Sequence, residues 1–175
     1  MAAKDNPIGI ESPIEGNSVS ASWQPASSQT RVPSAAKWLG ALGAIPFVFL
    51  AVAGPFLEGT LQEQVSFALA AYGAVILSFL GGIHWGLAIA GFGPEQSDST
   101  KFRRLAFSVI PSLIGWGALF LPRPHGLLFL AAAFSWMLLF DLQASRKEQV
   151  PPWYRKLRCP LTAVVVTSLT VEALA

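Results

Sequence analysis

Val65-Ser-Phe-Ala-Leu-Ala-Ala-Tyr72-Gly-Ala-Val-Ile-Leu-Ser-Phe-Leu-Gly81-Gly82-Ile-His84-Trp85-Gly86-Leu-Ala-Ile-Ala-Gly91-Phe92 contains no Asp, Glu, Lys or Arg. A helix rises ~1.5 Å per residue, so this run reaches about 42 Å, more than the ~30 Å of bilayer hydrocarbon. It predicts a transmembrane helix that tilts or carries a turn into the headgroups. The preceding Thr60-Leu61-Gln62-Glu63 has the S/T-x-x-E spacing of a capping box, in which two side chains satisfy orphan amides at a helix start. Gly91-Phe92-Gly93-Pro94 predicts the stop.

Four more apolar blocks flank this one: Trp38–Leu57, Leu105–Leu121, Gly126–Leu142 and Leu161–Ala175. Pro46 predicts a kink in the first, and Gly54-Pro55 its end. Pro122-Arg123-Pro124-His125 cannot continue a helix, so the third and fourth blocks are expected to form a tight antiparallel hairpin. Pro160 can occupy the first position of a helix over the last block, which either spans or lies at the interface. The composition agrees with lipid as solvent: 53% hydrophobic and 13% charged, against roughly a quarter charged in soluble domains. Mean hydropathy is +0.50. The single Cys excludes an intrachain disulfide, and a net charge of +2 gives no argument for nucleic acid.

Residues 1–36 differ from the rest. Asn6-Pro7, Ser12-Pro13, Gly16-Asn17, Gln24-Pro25 and Val32-Pro33 break any periodicity, and the composition predicts a disordered tail. Lys4 is followed by Asp5, Glu11 and Glu15 rather than an apolar run, unlike a signal peptide. With residues 37–175 as a five-span domain, all but Arg123 of the 12 Lys and Arg fall on one side. That asymmetry predicts a cytoplasmic amino terminus.

Few side chains inside the spans are polar enough to carry function. His84 is the ionisable group expected well inside a span, where burial without a partner costs several kcal/mol, so it must have one. A neutral imidazole bonded to a carbonyl or hydroxyl is the structural reading; proton handling, ligand contact or metal binding is the functional one. His125 is placed at the opposite face, which argues against a two-histidine metal site. Asp141 ends the fourth span, where it either pairs with Arg103 or Arg104 to close the hairpin or reaches His84 and orients its ring. Pro111 frees a carbonyl at Phe107, with Ser108 and Ser112 near enough to satisfy backbone groups, and its kink is either packing geometry or the wall of a cavity facing His84.

Small residues at 70, 74, 78, 82 and 86 form a stripe along the second span. Its tightest part, Gly82-x-x-x-Gly86, predicts close packing within the bundle or a dimer contact. The segment Val150-Pro151-Pro152-Trp153-Tyr154-Arg155-Lys156-Leu157-Arg158-Cys159-Pro160 mixes prolines, interfacial aromatics and cations. It reads as a membrane-surface anchor, with protein docking as the alternative. Glu172, like Glu58 and Glu63, is expected in the headgroups. No Walker loop, G-x-S-x-G elbow, H-E-x-x-H helix or C-x-x-C pair is present.

Tyr72 through Gly86, then Ser108-Val109-Ile110-Pro111-Ser112, Asp141 and Pro151-Pro152-Trp153-Tyr154-Arg155-Lys156-Leu157-Arg158, resemble the pattern of the transmembrane protein 69 family, domain of unknown function 3429. The resemblance covers residues 36–175. It implies a small multi-span protein of bacterial inner membranes or mitochondria and draws attention to His84, Trp85, Asp141, Trp153 and Tyr154, without giving them roles.

The expected fold is therefore all-α: an integral bundle of five transmembrane helices, or four if the last block is interfacial. The expected function is that of a non-enzymatic accessory, scaffold or assembly factor of a larger membrane complex, without cofactor or metal. Its partners would be membrane lipids and other membrane proteins or a second copy, with no nucleic acid. A small transporter or proton-linked carrier using His84 is the rival, and a lipid-modifying enzyme using Asp141 the third possibility.

Overall fold

The computed structural model of the chain describes residues 31–91 and 97–175. Most of the predicted tail, including Ile8, Ile10 and Trp23, lies outside the described residues, as do Phe92, Gly93 and Pro94. Five α-helices follow one another: α1 (Ser34–Ala53), α2 (Thr60–Ile89), α3 (Asp98–Ala118), α4 (His125–Arg146) and α5 (Tyr154–Leu174). Helix α1 starts three residues inside the predicted tail and ends in a 3-10 turn over Gly54–Phe56. Among the described residues four helices are long and apolar enough to cross a membrane: α1 with its 3-10 turn, α2, α4 and α5. Lys101, Arg103 and Arg104 occupy the first turns of α3, so only Leu105–Ala118 of that helix is uncharged.

Helix α5 corrects the reading of the last block. It begins at Tyr154, so Pro160 lies in its interior rather than at its first position, and the predicted surface anchor supplies its first two turns. Proline removes one amide there, to the Lys156 carbonyl, a loss that helices packed inside a bundle tolerate. The start of α2 is corrected too. Its N-cap is Gly59 at φ 60°, Thr60 is the first helical residue, and no side chain caps the end. A left-handed glycine turns the chain into the helix where a capping box was expected.

The helices alternate in direction. Gly40 of α1 lies against Leu161 of α5, and Gly54 against Glu172, so α1 and α5 run parallel. Gly115 of α3 meets Ala74 of α2, and Gly81 of α2 meets Ser108 of α3, so that pair is antiparallel. The starts of α1, α3 and α5 and the ends of α2 and α4 thus share one end of the bundle, which also carries Lys101, Arg103, Arg104, Arg146, Lys147, Arg155 and Lys156. We call it the basic end. Arg123 sits in the α3–α4 turn at the opposite end.

Helix α3 packs most extensively on α2, and α4 on α5. The α2–α3 seam is where small residues act, since lipid supplies little hydrophobic force between helices and close approach supplies dispersion contact. A Cβ at Gly115 would stand 3.0 Å from the Ala74 Cα, and one at Gly81 would fall on the Ser108 carbonyl. Pro111 also packs against Gly81. The expected contact at Gly82 and Gly86 is therefore shifted by one residue. A Cβ at either would meet nothing within 4 Å, and both lie with Trp85 on the exposed face of α2. The core behind the seam is apolar: Phe47, Leu69, Leu77, Leu130, Phe134, Met137 and Leu169 are all buried. Phe47 meets Tyr72 and Phe134 at ring-centroid distances of 5.0 and 6.1 Å. Tyr72 Oη donates to the Gly43 carbonyl at 3.0 Å, one residue from the Leu42 carbonyl that Pro46 leaves without an amide.

Candidate functional site

Three helices bring ionisable side chains together one to two turns inside the basic end. His84 lies near the end of α2, Asp141 near the end of α4, and Arg158 in the second turn of α5. Asp141 Oδ1 stands 2.6 Å from His84 Nε2, and Asp141 Oδ2 accepts from Arg158 Nε at 2.7 Å. The carboxylate can only accept, so Nε2 carries the imidazole proton. The residues are nearly sealed, at 6%, 1% and 6% exposure for His84, Asp141 and Arg158. Phe140 flanks the imidazole with its ring centroid 5.0 Å away.

The charges nearly cancel inside the cluster, as burial in hydrocarbon demands. Of the two readings for Asp141, the one in which it orients His84 is observed. Its second oxygen takes Arg158 of α5 rather than Arg103 or Arg104 of α3. Arg158, a surface cation by its sequence context, is instead buried. The prolines around it suggest a loop, yet Tyr154, Arg158, Thr162, Val165, Leu169 and Glu172 recur at helical spacing and are all buried. That periodicity was present in the sequence on residues mostly too polar for hydropathy to register.

Tyr154 and Trp153 sit at the same end. Tyr154 packs with Ala144 and Val150 against Ile83 and Leu87 of α2, and its ring meets that of Trp153 at 6.1 Å. Tyr154 is thus a core residue; Trp153 is half-buried beside it. Pro111 does not face His84 across a cavity. It lies on Gly81, and the nearby Ser108 Oγ donates to the Leu105 carbonyl at 2.7 Å, not to Phe107.

A second polar cluster occupies the other end. Glu172, expected among headgroups, is 0% exposed. Ser66 Oγ donates to its Oε1 at 2.6 Å, and Arg123 Nη2 donates to its backbone carbonyl at 2.9 Å. With the Gln62 amide turned so that its oxygen faces the guanidinium, that oxygen accepts from Arg123 Nη1 at 3.1 Å. Gly54 makes this burial possible, because a Cβ there would fall on the Glu172 carboxylate. Gly54→Ala is therefore expected to lower unfolding stability by about 1–3 kcal/mol, and to cost less in a Glu172→Ala background. Reversible unfolding in mixed micelles checks both.

Among the described residues no group of three or more His, Cys, Asp or Glu is placed to hold a metal. A single imidazole beside a carboxylate already paired with a guanidinium is a poor metal site.

The profile of a family described as "Protein of unknown function (DUF3429)" matches residues 32–174. "Transmembrane protein 69" of Xenopus tropicalis is 37% identical over 142 residues, covering 78% of this chain and 53% of that one. "Transmembrane protein 69" of Mus musculus is 28% identical over 142 residues, covering 79% and 55%. The chain thus spans about half the length of these relatives. No solved structure matches.

Proposed function

The chain belongs to the transmembrane protein 69 family, DUF3429, a family of multi-pass membrane proteins, and on that premise we propose that it is a non-enzymatic accessory or scaffold subunit of a larger membrane complex. The observation that carries this reading is the separation of its two polar clusters. His84, Asp141 and Arg158 sit near one end of the bundle and Ser66, Arg123 and Glu172 near the other, with Phe47, Leu77, Leu130, Phe134 and Leu169 buried between them. Each cluster ties helices together: the first α2, α4 and α5, the second α2, α5 and the α3–α4 turn. A carrier needs polar groups along its path, because an ion in hydrocarbon costs several kcal/mol. Two polar clamps around an apolar waist support rigidity instead.

The asymmetry of Lys and Arg supports a cytoplasmic basic end and amino terminus, in a bacterial inner membrane or, for a eukaryotic chain, the mitochondrial inner membrane. Wide exposure of large apolar residues on α1, among them Trp38, Leu39 and Phe49, leaves that helix available to lipid and to neighbouring membrane proteins. Purification of tagged full-length protein in mild detergent tests the proposal. A defined larger assembly is expected, and its yield should fall with Asp141→Asn in proportion to lost stability. A clean monomer or homodimer, or a folded His84→Ala protein that loses proton-coupled flux in proteoliposomes, overturns it in favour of a carrier.

A further inference from the structure

A cavity of about 400 Å³ opens at the end of the bundle opposite the basic end, between the first turns of α2 and the α3–α4 turn. Its size lies within the ~300–1,000 Å³ of small-molecule sites. Two opposite charges line it, Glu63 from the first turn of α2 and Arg123 from the turn between α3 and α4. They form no ion pair with each other, and among the described residues the exposed Glu63 carboxylate has no hydrogen-bond or ionic partner at all. The Arg123 side chain is 26% exposed, so the cavity reaches it. Its bonds to Gln62 and to the Glu172 carbonyl use only part of the guanidinium donor fork. The Glu172 carboxylate meets Arg123 only at 3.9 Å and is already bonded by Ser66. The remaining wall includes Phe67, Leu119 and Leu121, of which Phe67 and Leu121 are open to the surroundings.

We infer that this cavity seats the headgroup of a zwitterionic phospholipid bearing a primary ammonium, phosphatidylethanolamine. The phosphate accepts from the Arg123 guanidinium, whose planar fork matches phosphate geometry. The ammonium donates to the Glu63 carboxylate, and the acyl chains leave along Phe67 and Leu121 into the bilayer. Charge selects this class. An anionic headgroup such as phosphatidylglycerol brings its phosphate to Arg123 with nothing to offset Glu63. A choline head carries a quaternary ammonium without an N–H, so it approaches the carboxylate but makes no hydrogen bond to it. Depth selects a lipid over a soluble zwitterion: both charges stand at helix ends, at the level of the headgroups, beside apolar residues that face hydrocarbon. The inference is independent of the scaffold reading.

Native mass spectrometry of the full-length protein in detergent, titrated with phosphatidylethanolamine, phosphatidylglycerol and phosphatidylcholine of the same acyl chains, tests the site. Saturable retention of phosphatidylethanolamine is expected, about tenfold tighter than of either competitor, as one charge-assisted hydrogen bond predicts. Glu63→Gln should remove that preference, and Glu63→Lys should reverse it in favour of phosphatidylglycerol. Both should leave the thermal transition in place, since the carboxylate has no polar contact within the fold. Glu58→Gln, which removes an exposed acid at the same end but outside the cavity, should change nothing. Equal effects of Glu58→Gln and Glu63→Gln mean a general charge effect at the membrane surface and overturn the location. Equal retention of the three lipids by the unaltered protein overturns the headgroup. Displacement by glycerophosphoethanolamine, the soluble head alone, at concentrations equal to those of the lipid overturns the lipid as its source.

Discussion

Asp141→Ala is expected to lower the unfolding free energy of the bundle by about 3–5 kcal/mol, the usual penalty for removing one partner of a buried ion pair. The carboxylate holds two donors at once, His84 Nε2 at 2.6 Å and Arg158 Nε at 2.7 Å. Without it a guanidinium stays in an apolar interior with no anion, and an imidazole N–H loses its acceptor. The uncompensated cation dominates that cost. A second substitution should therefore relieve it: Asp141→Ala with Arg158→Met is expected to recover about 2 kcal/mol relative to Asp141→Ala alone, since apolar replacement of both charges is often neutral or better. Reversible unfolding in mixed micelles measures both. Arg158 lies only four residues from the start of α5, so a long side chain freed from Asp141 has one escape, outward to the headgroups. A loss below about 1 kcal/mol in the single variant, with no recovery in the double, would mean that it takes that route.

The same cluster shows how far the sequence could be read. His84 in an uncharged run demands a partner on physical grounds alone, and the alternation of helices puts Asp141 at the same end of the bundle, but hydropathy sets Asp141 nearer the interface, beside Arg103 and Arg104. Arg158 escaped because the local chemistry around it, with Pro151, Pro152 and Pro160, is that of a loop. Helix α5 forms through Pro160 because tertiary contacts compensate for one missing amide. Glu172 escaped for a related reason. A carboxylate near the end of a short apolar block belongs in the headgroups by hydropathy, but Gly54 in the 3-10 turn after α1 leaves a space for it, Ser66 donates to the carboxylate and Arg123 to the Glu172 backbone carbonyl. No pattern within α5 alone encodes a vacancy on another helix. What was legible was set by solvent: the all-helical membrane fold and the segregation of cations follow from hydrocarbon thickness and charge. Partner choice depends on distances between helices, which a single sequence does not display.

Gly81→Leu and Gly82→Leu are adjacent substitutions with opposite expected outcomes. A stripe of small residues every four positions advances 40° per step, so residues 70 to 86 spread across much of the helix surface and cannot all face one neighbour. A spacing of seven drifts only about 20° per step and holds one face. Ala74, Gly81 and Ala88 follow that spacing and are all buried, and on α3 Ser108 and Gly115 answer at the same interval. At Gly81 a Cβ would fall on the Ser108 carbonyl, part of a helix backbone that cannot turn aside as a flexible side chain could. Gly81→Leu must push α3 off α2 and break the most extensive helix contact in the bundle, a loss expected to exceed about 3 kcal/mol. At Gly82 a Cβ meets nothing within 4 Å. Leu there enters lipid, and its better helix propensity offsets what little is disturbed, so a change within about 0.5 kcal/mol is expected. Unfolding in mixed micelles, with gel filtration for oligomeric state, separates the two. Equal damage from both substitutions would show that the Gly82, Trp85 and Gly86 face is covered by another chain, and that the outward half of the stripe is an interface between proteins.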